Sequence, residues 1–106
     1  MLEGPYKTRL VRRIERDLPG SFVLKNDANY LQGIPDLLVL YRVRWGMLEV
    51  KTSEDAPFQP NQEFYLEHLD AMGFARCIYP ENEEEVLHEL YRSLTLRRTS
   101  RVPQRK

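Results

Sequence analysis

Gly33-Ile34-Pro35-Asp36-Leu37-Leu38-Val39-Leu40-Tyr41, followed by Arg42-Val43-Arg44-Trp45-Gly46 and Met47-Leu48-Glu49-Val50-Lys51, is the stretch that decides the fold. The unbroken apolar run after Asp36 predicts a strand over 35–41, buried on both faces and therefore central in its sheet. A turn over 42–46 leads to a second strand over 47–51, and two strands joined this closely pair antiparallel. Side chains alternate across a strand, so Glu49 and Lys51 share a face while Val50 points into the core. Asp36 opens the partner strand, and the hairpin sets it across from the Glu49 region.

Outward from this hairpin, Tyr6, Leu10, Ile14 and Leu18 recur at helical spacing and predict a helix over 5–18, with Pro5 in its first turn and Pro19-Gly20 as its stop. A short strand is expected over 21–25 and a polar loop over 26–32. After a loop over 53–60, a helix over 60–72 ends at Gly73. A strand over 75–79 follows, with Cys77 expected in the core. The last helix has Asn82 as its cap, Glu85 completing a capping box, and Leu87, Leu90, Tyr91 and Leu94 as its buried stripe. The expected fold is a mixed α/β (α+β) domain of order αβββαβα, a small sheet flanked by helices, over residues 1–94. A basic tail, expected to be flexible, occupies 95–106.

With 106 residues the chain has room for one core. No apolar run approaches the roughly 20 residues of a membrane helix. The start, MLEGPYKTRLVRR, lacks the apolar centre of a signal peptide. The single cysteine forms no internal disulfide, so the cytoplasm, of a cell or of a virus-infected host, is the expected compartment. Net charge is zero, but its distribution is not even: +3 over residues 1–51, −8 over 52–93 and +5 over 94–106. The basic ends suit phosphate contacts.

An aspartate after proline, or a Glu-x-Lys strand, is common taken alone. Here Asp36 and Glu49 both abut highly apolar strands, where an unpartnered carboxylate is costly. Two carboxylates and a strand carbonyl, that of Val50, make a hard oxygen site for Mg²⁺ or Mn²⁺. Such an ion lowers the pKa of water and neutralises phosphate charge, and Lys51 beside it would stabilise developing negative charge. Gln62 leads the stripe Gln62, Leu66 and Leu69 on the sheet-facing side of the second helix. His68 and His88 lie on different helices and Cys77 is alone, so zinc is not indicated. In the loop before Asp36, Lys25, Asn29, Tyr30 and Gln32 are candidate DNA contacts, as are Lys7 and Arg9 on the first helix and Arg97, Arg98, Arg101 and Arg105 in the tail.

Gly-Ile-Pro-Asp36, then Glu49-Val50-Lys51, then Gln62 in the next helix, resembles the PD-(D/E)xK nuclease superfamily. Within it the chain is most similar to the small standalone virus-type replication-repair nucleases (VRR-NUC), themselves similar to Holliday junction resolvases. The resemblance spans about residues 3–93. It implies a restriction-endonuclease-like fold, metal binding by Asp36 and Glu49, a catalytic Lys51 and an assisting Gln62. It also implies a further metal-binding, catalytic glutamate near the start of the first helix; Glu3 is preferred for its position, with Glu15 as the alternative. The implied activity is Mg²⁺-dependent cleavage of branched or duplex DNA, selective for structure, by a homodimer with no organic cofactor. Trp45, Phe58, Phe64 and Tyr65 are the residues offered for a dimer face. The alternatives are a branched-DNA-binding module without catalysis and an interaction module using the acidic stretch Glu81 to Glu89.

Overall fold

The computed structural model describes residues 2–96. In chain order these form α1 (Glu3–Asp17), β1 (Phe22–Lys25), β2 (Leu37–Tyr41), β3 (Arg44–Val50), α2 (Gln62–Met72), β4 (Ala75–Ile78) and α3 (Glu83–Thr95), the expected αβββαβα order. One mixed sheet has the strand order β1-β2-β3-β4. The pairs β1–β2 and β2–β3 are antiparallel, and β3–β4 is parallel. Parallel neighbours need a crossover, and α2 supplies it.

Two helices build the core with one face of the sheet. Tyr6, Leu10 and Ile14 of α1, with Val86, Leu87, Leu90 and Leu94 of α3, meet Leu37, Val39, Leu48, Val50 and Ile78. Charge fastens the two helices at their surface. Arg13 of α1 donates to Glu83 and Glu84 of α3, each at 2.7 Å, and Glu83 is buried. Tyr91 Oη donates to Asp17 Oδ2 at 2.7 Å.

The opposite face is only partly covered, which corrects the expectation for β2. The strand is central, but Leu37 and Val39 are fully buried while Leu38 and Leu40 are half-buried. The reason is that α2 packs on β4 and β3 and leaves the β1–β2 half bare. In register with Leu40 and Leu38, Phe22 and Leu24 of β1 are 67% and 48% exposed. No residue of α2 is fully buried. Of the residues offered for a dimer face, Trp45 is half-buried close to Gly73 and Tyr65 is half-buried, while Phe58 and Phe64 are exposed, Phe64 with its ring centroid 4.0 Å from that of His68.

Three local expectations also change. The β2–β3 turn is only Arg42-Val43, so Gly46 lies inside β3. A Cβ there would stand 2.6 Å from Leu90 Cδ1, so glycine marks the close approach of α3. Asn82 does not cap α3. Its side chain turns back, accepting from the Tyr79 N–H at 2.8 Å and donating to the Cys77 carbonyl at 3.1 Å. Cys77 is half-buried on the α2 side of the sheet rather than in the core.

Among the described residues no helix is long and apolar enough to cross a membrane. The domain end expected at residue 94 falls at the close of α3. The basic residues 97–106, including Arg97, Arg98, Arg101 and Arg105, lie outside the described residues.

Candidate active site

The register Leu37↔Leu48 places the preceding pair, Asp36 and Glu49, opposite one another. Asp36 is held from both chain directions. Its backbone carbonyl accepts from the Asn26 N–H at 2.8 Å, and the Asn26 side chain donates to the Pro35 carbonyl at 2.8 Å. Its Oδ2 accepts from the Val50 N–H at 2.9 Å, so the carboxylate takes a ladder position at the mouth of β2. Gly33 has φ +93°, and a Cβ there would meet Asn61 Cβ at 2.6 Å. This glycine lets the loop before Asp36 lie against the residue that precedes α2.

Glu49 and Lys51 share the face that α2 covers, as strand alternation requires. Both are almost out of water, at 3% and 7% exposure. Gln62, the first residue of α2, reaches between them. Its Nε2 donates to Glu49 Oε2 at 2.7 Å, and its Oε1 accepts from Lys51 Nζ at 2.9 Å and from the Gln59 N–H at 2.7 Å. Lys51 also donates to the Pro57 carbonyl at 2.8 Å and lies 5.0 Å from the centre of the Phe58 ring. Its ammonium is 3.9 Å from Glu49 Oε2. Four groups therefore fix the lysine in one position.

Glu49 has one oxygen left over: Oε1 is buried and has no hydrogen-bond partner among the described residues. Burial pushes this carboxyl up to about 8, and the Asp36 charge adds to that, while Lys51 opposes it. Glu3 also raises it and Lys7 lowers it, so the start of α1 belongs to the same electrostatic cluster.

At that helix start, Lys7 Nζ lies 3.3 Å from Asp36 Oδ1 and 3.5 Å from Glu3 Oε2. The structure thus brings Glu3 toward the cluster, with Lys7 between it and Asp36. Glu15 is exposed three turns further along α1 and is not among the leading charges acting on Glu49. Arg9 is directed elsewhere: its guanidinium lies over the Tyr6 ring and 3.7 Å from Glu83. Asn29 and Gln32 are exposed in the loop before Asp36, with Tyr30 at 88% exposure, and Lys25 is exposed at the end of β1.

The donor set suits a hard divalent cation. Glu49 Oε1 is an orphaned buried acceptor, and Asp36 Oδ1 faces only the Lys7 ammonium among the described residues. The described residues hold no ready cage of three or more His, Cys, Asp or Glu side chains, so water would supply several positions, as is usual for Mg²⁺. Softer ligands do not compete. Cys77 pairs with Glu49 across the strands, but burial pushes its thiol up to about 11. His68 contacts its own helix at the Phe64 carbonyl, and His88 is exposed.

The fold brings together Asp36, Glu49, Lys51 and Gln62, which the sequence singled out, and adds three contacts it did not: the Pro57 carbonyl under Lys51, the Asn26 clamp on the Pro35-Asp36 backbone, and the Lys7–Asp36 pair. The prolines at 57 and 60 were the only local signal for the first. No family model, no curated protein and no solved structure matches the chain.

Proposed function

We propose that the chain is a divalent-metal-dependent endonuclease that hydrolyses phosphodiester bonds in DNA, selective for branched or flap structures, on a PD-(D/E)xK-type site. One observation carries the reading: a glutamate at 3% exposure, Glu49, keeps an unpartnered oxygen beside Asp36 and within a network that immobilises a buried lysine. A carboxylate buried in this way is costly for stability unless something compensates it, and a bound cation would do so.

Asp36 and Glu49 would hold Mg²⁺ or Mn²⁺, with Glu3 nearby as a further carboxylate. Bound there, the ion supplies charge neutralisation at the phosphate and acidifies water. The protein's own groups do the rest. Lys51 presents a fixed ammonium for negative charge that develops on the scissile phosphate. Gln62 holds Lys51 and Glu49 in register with each other. The exposed loop residues Asn29, Tyr30 and Gln32, with Lys25, would contact the DNA backbone or sugars.

The rival reading as an acidic interaction module is weakened by Glu83 and Glu84, which are already tied to Arg13. The homodimer is part of the proposal. Its apolar surface would come from the bare β1–β2 face, and sedimentation showing only monomer at micromolar concentration would remove it.

The test is a cleavage panel of single-stranded, duplex, flap and four-way-junction DNA with Mg²⁺ or Mn²⁺. Asp36→Asn, Glu49→Gln and Lys51→Ala should each lower cutting on the order of 10²–10³-fold or more while the fold persists. Unchanged cutting by Asp36→Asn would overturn the mechanism. Binding of branched DNA without any metal-dependent cutting would favour a non-catalytic module.

A further inference from the structure

The oxygen of Asp36 most available to a cation is the one that faces Lys7. Asp36 Oδ2 already accepts from the Val50 N–H, which makes Oδ1 the freer oxygen, and Lys7 Nζ stands 3.3 Å from it. A second acceptor, Glu3 Oε2, lies 3.5 Å from the same ammonium and one helical turn back. Both separations exceed the 2.7–2.9 Å of a strong charge-assisted hydrogen bond, so Lys7 is held by charge rather than by tight directed bonds. Its side chain is 21% exposed and that of Glu3 50% exposed, so a path to solvent is open on the Glu3 side. Lys51 differs on each count, being buried and fixed by directed hydrogen bonds.

We propose that Lys7 is the protein's own occupant of the cation site: its ammonium neutralises Asp36 in the metal-free protein and moves to Glu3 when a divalent cation binds. This rests on the metal-site reading above. An ammonium and a divalent ion on one carboxylate oxygen repel at close range with little solvent between them. Lys7 therefore competes with the cation, and Glu3 favours binding by receiving Lys7. Glu3 is then a positioning residue that acts through Lys7. The arrangement also keeps Asp36 compensated while no metal is present, which an unpaired carboxylate at the mouth of the sheet would otherwise lack.

The experiment is titration of the full chain with Mn²⁺ alone, read by water-proton relaxation and without DNA. Lys7→Met should bind Mn²⁺ on the order of tenfold more tightly, since a like charge has been removed at short range. Lys7→Arg, which keeps the charge, should show no such gain. Glu3→Gln should weaken binding in the wild-type background and have little effect in the Lys7→Met background, the signature of action through Lys7. In the wild-type protein, the Lys7 Nζ resonance should shift when Mg²⁺ is added. Equal affinity of wild type and Lys7→Met, with binding abolished in Glu49→Gln, would overturn the role of Lys7 and leave the metal site standing. An equal loss from Glu3→Gln in both backgrounds would make Glu3 a direct ligand and overturn its role as receiver. A Lys7 resonance unmoved by saturating Mg²⁺ would likewise refute displacement. No Mn²⁺ binding by any variant would overturn both the site and the proposal.

Discussion

Gln62 donates to Glu49 across 2.7 Å, so the first residue of α2 orients a carboxylate that β3 presents. The same amide accepts from Lys51, which has only protons to offer, and this fixes which end of the amide faces which partner. Neither charged residue can turn without breaking its bond to Gln62.

Replacing Gln62 should therefore harm function more than stability. Gln62→Ala is expected to lower metal affinity or cleavage about 10–100-fold, the usual cost of losing a partner that orients a metal ligand. Metal titration together with single-turnover cleavage would measure both, and wild-type behaviour of Gln62→Ala would remove this residue from the site.

The buried Glu49 carboxyl, pushed up to about 8 from an ordinary value near 4.5, gives the metal-free protein a definite pH dependence. Across that interval the folded protein keeps a proton that the unfolded chain has released. Stability without metal therefore falls as pH rises from about 4.5 to about 8 and then levels off. Glu49→Gln should flatten this slope. Divalent cations bind the deprotonated form, so their affinity should climb over the same interval. Urea melts at several pH values, with and without Mg²⁺, would show both trends.

Gly33 ties the Asp36 loop to the approach of α2. With φ +93° and Asn61 Cβ 2.6 Å from any added Cβ, Gly33→Ala meets both an unfavourable backbone region and a clash. Gly33→Ala is expected to destabilise the fold by about 1–3 kcal/mol. Cleavage should fall further than stability alone explains, because the displaced Asn61 directly precedes Gln62. Denaturant midpoints compared with activity at full folding would separate the two losses.

Arg13→Ala would leave Arg9, at 3.7 Å, as the one cation beside the buried Glu83 among the described residues, and should cost about 1–3 kcal/mol. The double variant Arg13→Met with Glu83→Leu should recover much of that loss, since removing both partners avoids a stranded charge. Thermal melts of the two single variants and the double variant would measure the coupling.

Much of the architecture follows from local sequence. The four-residue spacing of Tyr6, Leu10 and Ile14, the apolar run after Asp36 and the punctuation at Pro19-Gly20 and Gly73 settle which segments are helix and strand. Strand alternation alone puts Glu49 and Lys51 on one face with Val50 on the other. The two-residue turn at Arg42-Val43 was not legible, because Gly46 reads as a turn residue until α3 is seen to press against it. Asn82 likewise fits a helix cap in sequence, yet its amide is drawn back to the Tyr79 N–H and the Cys77 carbonyl by the short turn before α3.

What the sequence by itself determined is the set of charged residues and the strand faces that carry them, since backbone geometry fixes a period of two without reference to the rest of the chain. What only the tertiary structure decided is how those charges are compensated. Gln62 joining Glu49 to Lys51, the Pro57 carbonyl under Lys51 and Lys7 lying on Asp36 all depend on where α1, α2 and the connecting loops come to rest against the sheet. The Lys7–Asp36 pair joins segments distant in sequence, while the Gln62 and Pro57 contacts depend on how the loop after β3 turns back over the sheet, which strand and helix periodicity do not encode.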